Sequence, residues 1–186
     1  MDYEDYKRNA LRTEGIPKDL GMDNNTLISA LRVGAAAGQL LDKFKRIAIY
    51  RKKVEPEVIE QAILSLQAQL AVLFSLVKST TDNSTGLYSP NIRLTHGAVG
   101  MFTESGELLE AVIKSMETNT LDLTNIGEET GDSDWYKMII HDVTGVSEGQ
   151  SRAKNIAKLK ARYGEKFSTE AALVRDLGAE RVVLAA

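Results

Sequence analysis

Apolar residues recur at helical spacing along most of this chain, and nowhere do they alternate with polar ones for the length of a strand. A short amphipathic pattern covers Tyr3 to about Thr13, and a turn rich in Gly15, Pro17 and Gly21 follows. Asn25 or Thr26 then caps a second helix reaching about Arg51, with Leu27, Leu31, Leu40, Leu41 and Phe44 inward and a basic end. Pro56 suits the first turn of a third helix, which runs to about Lys78. That helix is apolar nearly all round, including Ile63, Leu70, Phe74 and Val77, which predicts a central position. A polar linker over 79–88 divides the chain into an N-terminal half, 1–78, and a second half, 89–186. Ser89-Pro90 reads as an N-cap and first-turn proline for a fourth helix, and Asp122 or Asn125 caps a fifth. A sixth spans about Gly149 to Tyr163, and Ser168 caps a last one reaching about Val183. The expected fold is a single all-α domain, a bundle of about seven helices around a four-helix core.

Two acidic pairs stand out on the fourth and fifth helices. Glu104 and Glu107 are three residues apart, as are Glu129 and Asp132, so each pair shares a helix face. Both flanks carry apolar residues at helical period, and the polar run Glu117 to Asn125 reads as the turn between them. Folding these helices back on each other would bring four carboxylates together. Each would disfavour ionisation of the next, and a hard divalent cation such as Mg²⁺ resolves that conflict. A single Glu-x-x-Glu pair is ordinarily a solvated face. Two pairs on adjacent helices are less ordinary. Gly106 and Gly131 beside them each cost roughly 1 kcal/mol against alanine in a helix, which predicts close helix approach or ligand access there.

With Thr103-Glu104-Ser105-Gly106-Glu107 followed by Glu129-Thr130-Gly131-Asp132, the stretch resembles the MazG-like nucleotide pyrophosphohydrolases. These are all-α enzymes grouped with the dimeric dUTPases and phosphoribosyl-ATP pyrophosphohydrolase. Leu94-Thr95-His96-Gly97-Ala98 and Asp132-Ser133-Asp134-Trp135-Tyr136 carry the likeness outward, and it extends from about Arg93 to Leu184. Thr103 departs from the pattern, standing where many members have a glutamate. The run Asn155 to Tyr163 is similar to the family's substrate-contacting helix. Asn155, Lys158 and Arg162 lie at i, i+3 and i+7, one stripe of a helix. Alone, that stripe reads as a solvated face. Beside a metal it reads as a phosphate clamp, with Asn125 and Asn155 lesser candidates for sugar or phosphate contacts. The resemblance implies Mg²⁺, with Mn²⁺ as a substitute, held by Glu104, Glu107, Glu129 and Asp132. Glu104 is the candidate proton acceptor. The implied reaction is (d)NTP plus water to (d)NMP and pyrophosphate, in the service of nucleotide-pool house-cleaning or recycling.

Charge and composition narrow the alternatives. A net charge of −3 over 186 residues argues against a general nucleic-acid footprint. The chain has no cysteine, which excludes disulfides and thiolate metal sites and fits a reducing cytoplasm. Its start, Met1-Asp2-Tyr3-Glu4-Asp5, is too acidic for a signal peptide, and no apolar run is expected to span a membrane. His96 and His141 lack Cys or His partners at ligand spacing and read as structural. Neither has the Glu-x-x-His motif of di-iron bundles, since Arg93 and Met138 occupy those places. Trp135 and Tyr136 could stack on a base, though aromatics at this spacing more often belong to a core.

The two halves also align as degenerate copies. Leu31–Lys45 lies on Val99–Ile113, and Ile63–Val77 on Ile126–Ile140. Glu104, Glu107, Glu129 and Asp132 then fall opposite Ala36, Gln39, Leu66 and Gln69, so every carboxylate has a neutral counterpart. Helical periodicity alone forces some of this agreement. A duplicated chain could supply both halves of a core that these enzymes build from two copies, and a homodimer is the other arrangement left open. The rival function is a non-enzymatic helical interaction or regulatory protein that keeps the metal fold.

Overall fold

A computed structural model describes residues 1–16, 21–79, 91–164 and 166–185. Pro17, most of the 79–88 linker and the Ser89-Pro90 pair lie outside the described residues. Among those described there are eight helices and no strand: α1 (Tyr3–Leu11), α2 (Asn24–Ala48), α3 (Pro56–Ser79), α4 (Ile92–Thr118), α5 (Leu123–Thr144), α6 (Glu148–Tyr163), α7 (Thr169–Leu173) and α8 (Leu177–Ala185).

Local chemistry accounts for most of the boundaries. The side chain of Asp122 accepts from the backbone N–H of Asn125 and starts α5, one of the two residues expected there. Asp23 rather than Asn25 or Thr26 caps α2, because its carboxylate reaches the N–H groups of both. Asn91 caps α4 in the same way. At the other end of α4, Asn119 adopts the left-handed conformation at φ 56°, which asparagine tolerates better than most residues. Ser147 and Gln150 form a reciprocal capping box at the start of α6. Ser168 caps α7 as expected, but that helix ends after one turn, and Asp176 opens α8 by accepting from Ala179 N–H. This break turns the expected seven helices into eight.

Two antiparallel hairpins, α2/α3 and α4/α5, form the frame. In α4/α5 the close approach is made by Gly97 and Gly100. A Cβ at Gly100 would lie 2.1 Å from the Tyr136 ring, and one at Gly97 would lie 2.8 Å from Ile140. Gly106 and Gly131, the glycines expected to play this part, have nothing within 4 Å of such an atom. The tight packing leaves Met138 and Ile139 of α5 fully buried. Helix α1 closes the far side of α5. The Trp135 indole donates to Ala10 O and Thr13 Oγ1, each at 3.0 Å, and Tyr6 OH donates to Gly131 O at 3.2 Å. Arg93 fixes the same corner through a two-pronged contact with the buried Glu14 carboxylate and a 2.8 Å pair with Asp142.

Helix α3 is not central. Its half-buried residues Ile59, Ala62, Leu66, Gln69, Leu73 and Leu76 alternate at spacings of three and four, a single seam against α2. No described side chain of α3 is buried. It is also long and apolar enough to cross a membrane by length and composition, which corrects the expectation that no run reaches that length. The apolar residues that suggested a central helix instead form an open outer face, because α2 covers only one side.

Candidate functional site

The hairpin α4/α5 brings the acidic residues together. Glu104 of α4 and Glu129 and Asp132 of α5 place carboxylate oxygens within 4.8 Å of one another. Glu129 is 4% exposed and Glu104 is 9% exposed, whereas Asp132 lies at the surface. Glu107 is exposed and stands outside this group of three. Glycines 97 and 100 lie two turns and one turn before Glu104 on the same face, and they bring α4 close to α5 at this level.

Burial, then the neighbouring Glu104 carboxylate, pushes the Glu129 carboxyl above its ordinary value. Asn125 opposes that shift by donating to Glu129 Oε1 at 2.7 Å. Asn125 thus orients a candidate metal ligand, four residues along α5. Thr103, beside Glu104 on α4, donates to Gly100 O at 2.8 Å and lies 3.4 Å from Glu104 Oε1. The donor set of three converging carboxylates is the hard oxygen chemistry that Mg²⁺ or Mn²⁺ takes. The residues present therefore fit such an ion.

Two tyrosines border the cluster. Burial and then the charges of Glu104, Asp132 and Glu107 raise the Tyr136 phenol, so Glu107 acts on the site electrostatically from outside the group of three. Tyr136 follows Glu129 and Asp132 at i+7 and i+4, a spacing that could have flagged it from sequence. Tyr6 is raised by burial and then by Asp134 and Asp132. Nothing in the sequence links Tyr6 to α5, since 125 residues separate it from Gly131.

The cations of α6 are placed differently. Helix α6 packs chiefly on α8 and α7. Arg162 gives its guanidinium fork to Glu180 at 2.6 and 2.8 Å, and Arg175 holds the same carboxylate. Glu180 is 4% exposed, and the two arginines, Arg162 foremost, hold it well below the usual carboxylate range. Asn155 is exposed and Lys158 half-buried, and Lys158 has no ion-pair partner among the described residues. His141 is buried with Nδ1 2.6 Å from Val146 O. His96 packs edge-on against Trp135 and Tyr136, with ring centroids 5.9 and 5.5 Å away. Trp135 uses its N–H to hold α1.

Compared with protein-family models, curated proteins and solved structures, the chain matches none.

Proposed function

We propose that this protein is a Mg²⁺-dependent nucleoside triphosphate pyrophosphohydrolase that releases a nucleoside monophosphate and pyrophosphate. The observation that carries the proposal is the convergence of Glu104, Glu129 and Asp132 across α4 and α5. The metal requirement rests on those carboxylates, and the bond class rests on the MazG-like sequence pattern. Glu104, Glu129 and Asp132 would hold the ion, with Glu107 completing the set. The bound ion supplies Lewis-acid polarisation of phosphate oxygens and acidification of water.

The chain's own groups divide the remaining work. Asn125 keeps the Glu129 carboxylate turned inward. A carboxylate oxygen of Glu104 would accept a proton from the attacking water. Lys158 would offset charge on the leaving pyrophosphate, with Asn155 beside it. Arg162 could join only by exchanging Glu180 for a phosphate, since Glu180 occupies both prongs of its fork. A cytoplasmic role in nucleotide housekeeping belongs to the same proposal. The open apolar face of α3 favours one second reading, a helical interaction protein without turnover.

Pyrophosphate release from a panel of ribo- and deoxynucleoside triphosphates separates the two. Hydrolysis should require Mg²⁺ or Mn²⁺. Glu104→Gln should slow it by roughly 10²–10⁴-fold, the usual contribution of a positioned proton acceptor. Glu107→Gln or Asp132→Asn should abolish it while leaving helical content unchanged. No release from any triphosphate, or near-native turnover by both of the latter variants, removes the proposed site.

A further inference from the structure

Positive charge is concentrated at the closed end of the α2/α3 hairpin. The run Lys43-Phe44-Lys45-Arg46-Ile47-Ala48-Ile49-Tyr50-Arg51-Lys52-Lys53 holds six cations in eleven residues and no acid. The chain's net charge is −3, so everything outside this run carries a net −9. Helix α2 ends at Ala48, and the connection to α3 follows. That connection folds back on the helix end. Lys52 N–H donates to Arg46 O at 3.0 Å, and Arg51 takes the left-handed conformation at φ 54°. Glycine is the default residue in that conformation, and arginine there keeps a charge at the apex. Asp42 pairs with Lys45 and Arg46, and Lys53 reaches Glu55 at 3.2 Å. Lys43, Arg51 and Lys52 have no ion-pair partner among the described residues.

Apolar side chains share this end. Ile49, in the connection, is 68% exposed, and Phe44 and Ile47 are exposed on the last turns of α2. Tyr50 packs against Phe167, between α6 and α7, with ring centroids 6.2 Å apart, and Phe167 is itself 60% exposed. Single exposed apolar residues are ordinary. Set among cations without partners, these match a surface that is anionic outside and apolar just beneath.

We propose that the closed end of the α2/α3 hairpin docks on an anionic phospholipid bilayer, with Arg51, Lys52 and Lys53 among the lipid phosphates and Phe44, Ile47 and Ile49 at the boundary of the acyl chains. The acidic remainder of the chain is repelled by the same surface, which turns this end toward it. A nucleic acid would match the cations, but it has no use for Ile47 and Ile49, and the Tyr50 ring that a base would stack on is packed against Phe167. The docking is peripheral. Helix α3 has the length and composition to cross a bilayer, yet it is paired with α2, whose Arg32, Asp42, Lys43, Lys45 and Arg46 hydrocarbon would have to desolvate. The inference is independent of the proposed hydrolase activity.

Flotation of the full chain with vesicles tests it. The protein should float with vesicles of phosphatidylglycerol and phosphatidylcholine at low salt, and not with phosphatidylcholine alone. Half-molar salt should release it, because the attraction is screened. Each cation near an anionic surface is worth about a fivefold gain in partitioning, so Arg51→Gln, Lys52→Gln and Lys53→Gln together should weaken binding by roughly 10²-fold with an unchanged helical spectrum. Ile49→Trp should shift its emission to the blue on the anionic vesicles only, which reports entry of that position into the bilayer. The lipid and salt comparisons on the wild-type chain decide the matter if the triple variant fails to fold. Equal flotation with both lipids, no flotation at low salt, retention of the protein by the vesicles through carbonate washing, an Ile49→Trp emission that does not move, or association with a single-stranded oligonucleotide in place of vesicles overturns the proposal.

Discussion

The two hairpins begin from similar patterns and end with different physics. In α4/α5, Gly97 and Gly100 let Tyr136 and Ile140 press against the facing backbone, and Met138 and Ile139 become fully buried. In α2/α3 the seam is regular, yet Ala36 is its only buried apolar residue among those described. A Cβ at Gly38 would meet nothing within 4 Å. The consequence for chemistry follows from spacing. Carboxylates on the close pair are brought into a shared, partly dry volume, where burial and then the Glu104 carboxylate push the Glu129 carboxyl up. The aligned positions on the loose pair are Ala36, Gln39, Leu66 and Gln69, and they carry no charge to concentrate. What distinguishes the hairpins is how closely the backbones approach, more than how their apolar residues repeat.

Metal should give the largest difference between them. An ion binding only the folded α4/α5 hairpin at a hundred times its dissociation constant adds about 2.7 kcal/mol. For a chain of this size that corresponds to a rise in melting temperature of roughly 5–10 °C. Thermal melts with and without Mg²⁺ or Mn²⁺ check this, and Glu104→Gln or Glu129→Gln should shrink the rise. No shift at saturating metal would detach the acidic cluster from metal binding.

Paired glycine substitutions come next. Gly100→Ala forces a Cβ into the Tyr136 ring and should cost about 1–3 kcal/mol, as overpacking does. Gly38→Ala, in open space on α2, should instead gain up to about 1 kcal/mol from helix propensity. Urea midpoints measure both. Equal effects would mean that the hairpins are equally close-packed.

The smallest effect is a pH dependence in the absence of metal. The folded Glu129 carboxyl lies above its unfolded value, so the folded state holds that proton more tightly. Stability from this group therefore falls as pH rises from the ordinary carboxylate value, about 4, to the raised one, and is flat beyond it. Glu129→Gln should be relatively more stable than wild type at neutral pH in chelator. That advantage should fade as pH drops through the window. Glu180 works the other way, since Arg162 and Arg175 depress it: its contribution is present above the ordinary carboxylate value and lost only as pH falls through the depressed one. Comparing urea midpoints of the Glu129→Gln variant and wild type cancels Glu180 and isolates the hairpin. An advantage that does not change with pH would remove the strain assigned to Glu129.

Much of the helical frame was legible from local chemistry. Pro56 in the first turn of α3, Asp122 at α5 and Ser168 at α7 were all readable, because caps and proline act within one turn. The short pairs Glu104/Glu107 and Glu129/Asp132 were legible for the same reason, since a spacing of three defines a face.

Which faces met was decided only by the tertiary structure. Glu104 joined Glu129 and Asp132 while Glu107 stayed exposed, because the approach is set by Gly97 and Gly100 and not by Gly106 and Gly131. Arg162 found Glu180 on α8, eighteen residues away, and no helical period signals that partner. Tyr6 reached Gly131 across most of the chain. The apolar character of α3 was plain in the sequence, but whether it lay inside or outside was not. Periodicity states that a face avoids water; it does not name the surface that covers it, and within this chain α2 covers one side of α3 and leaves the other open.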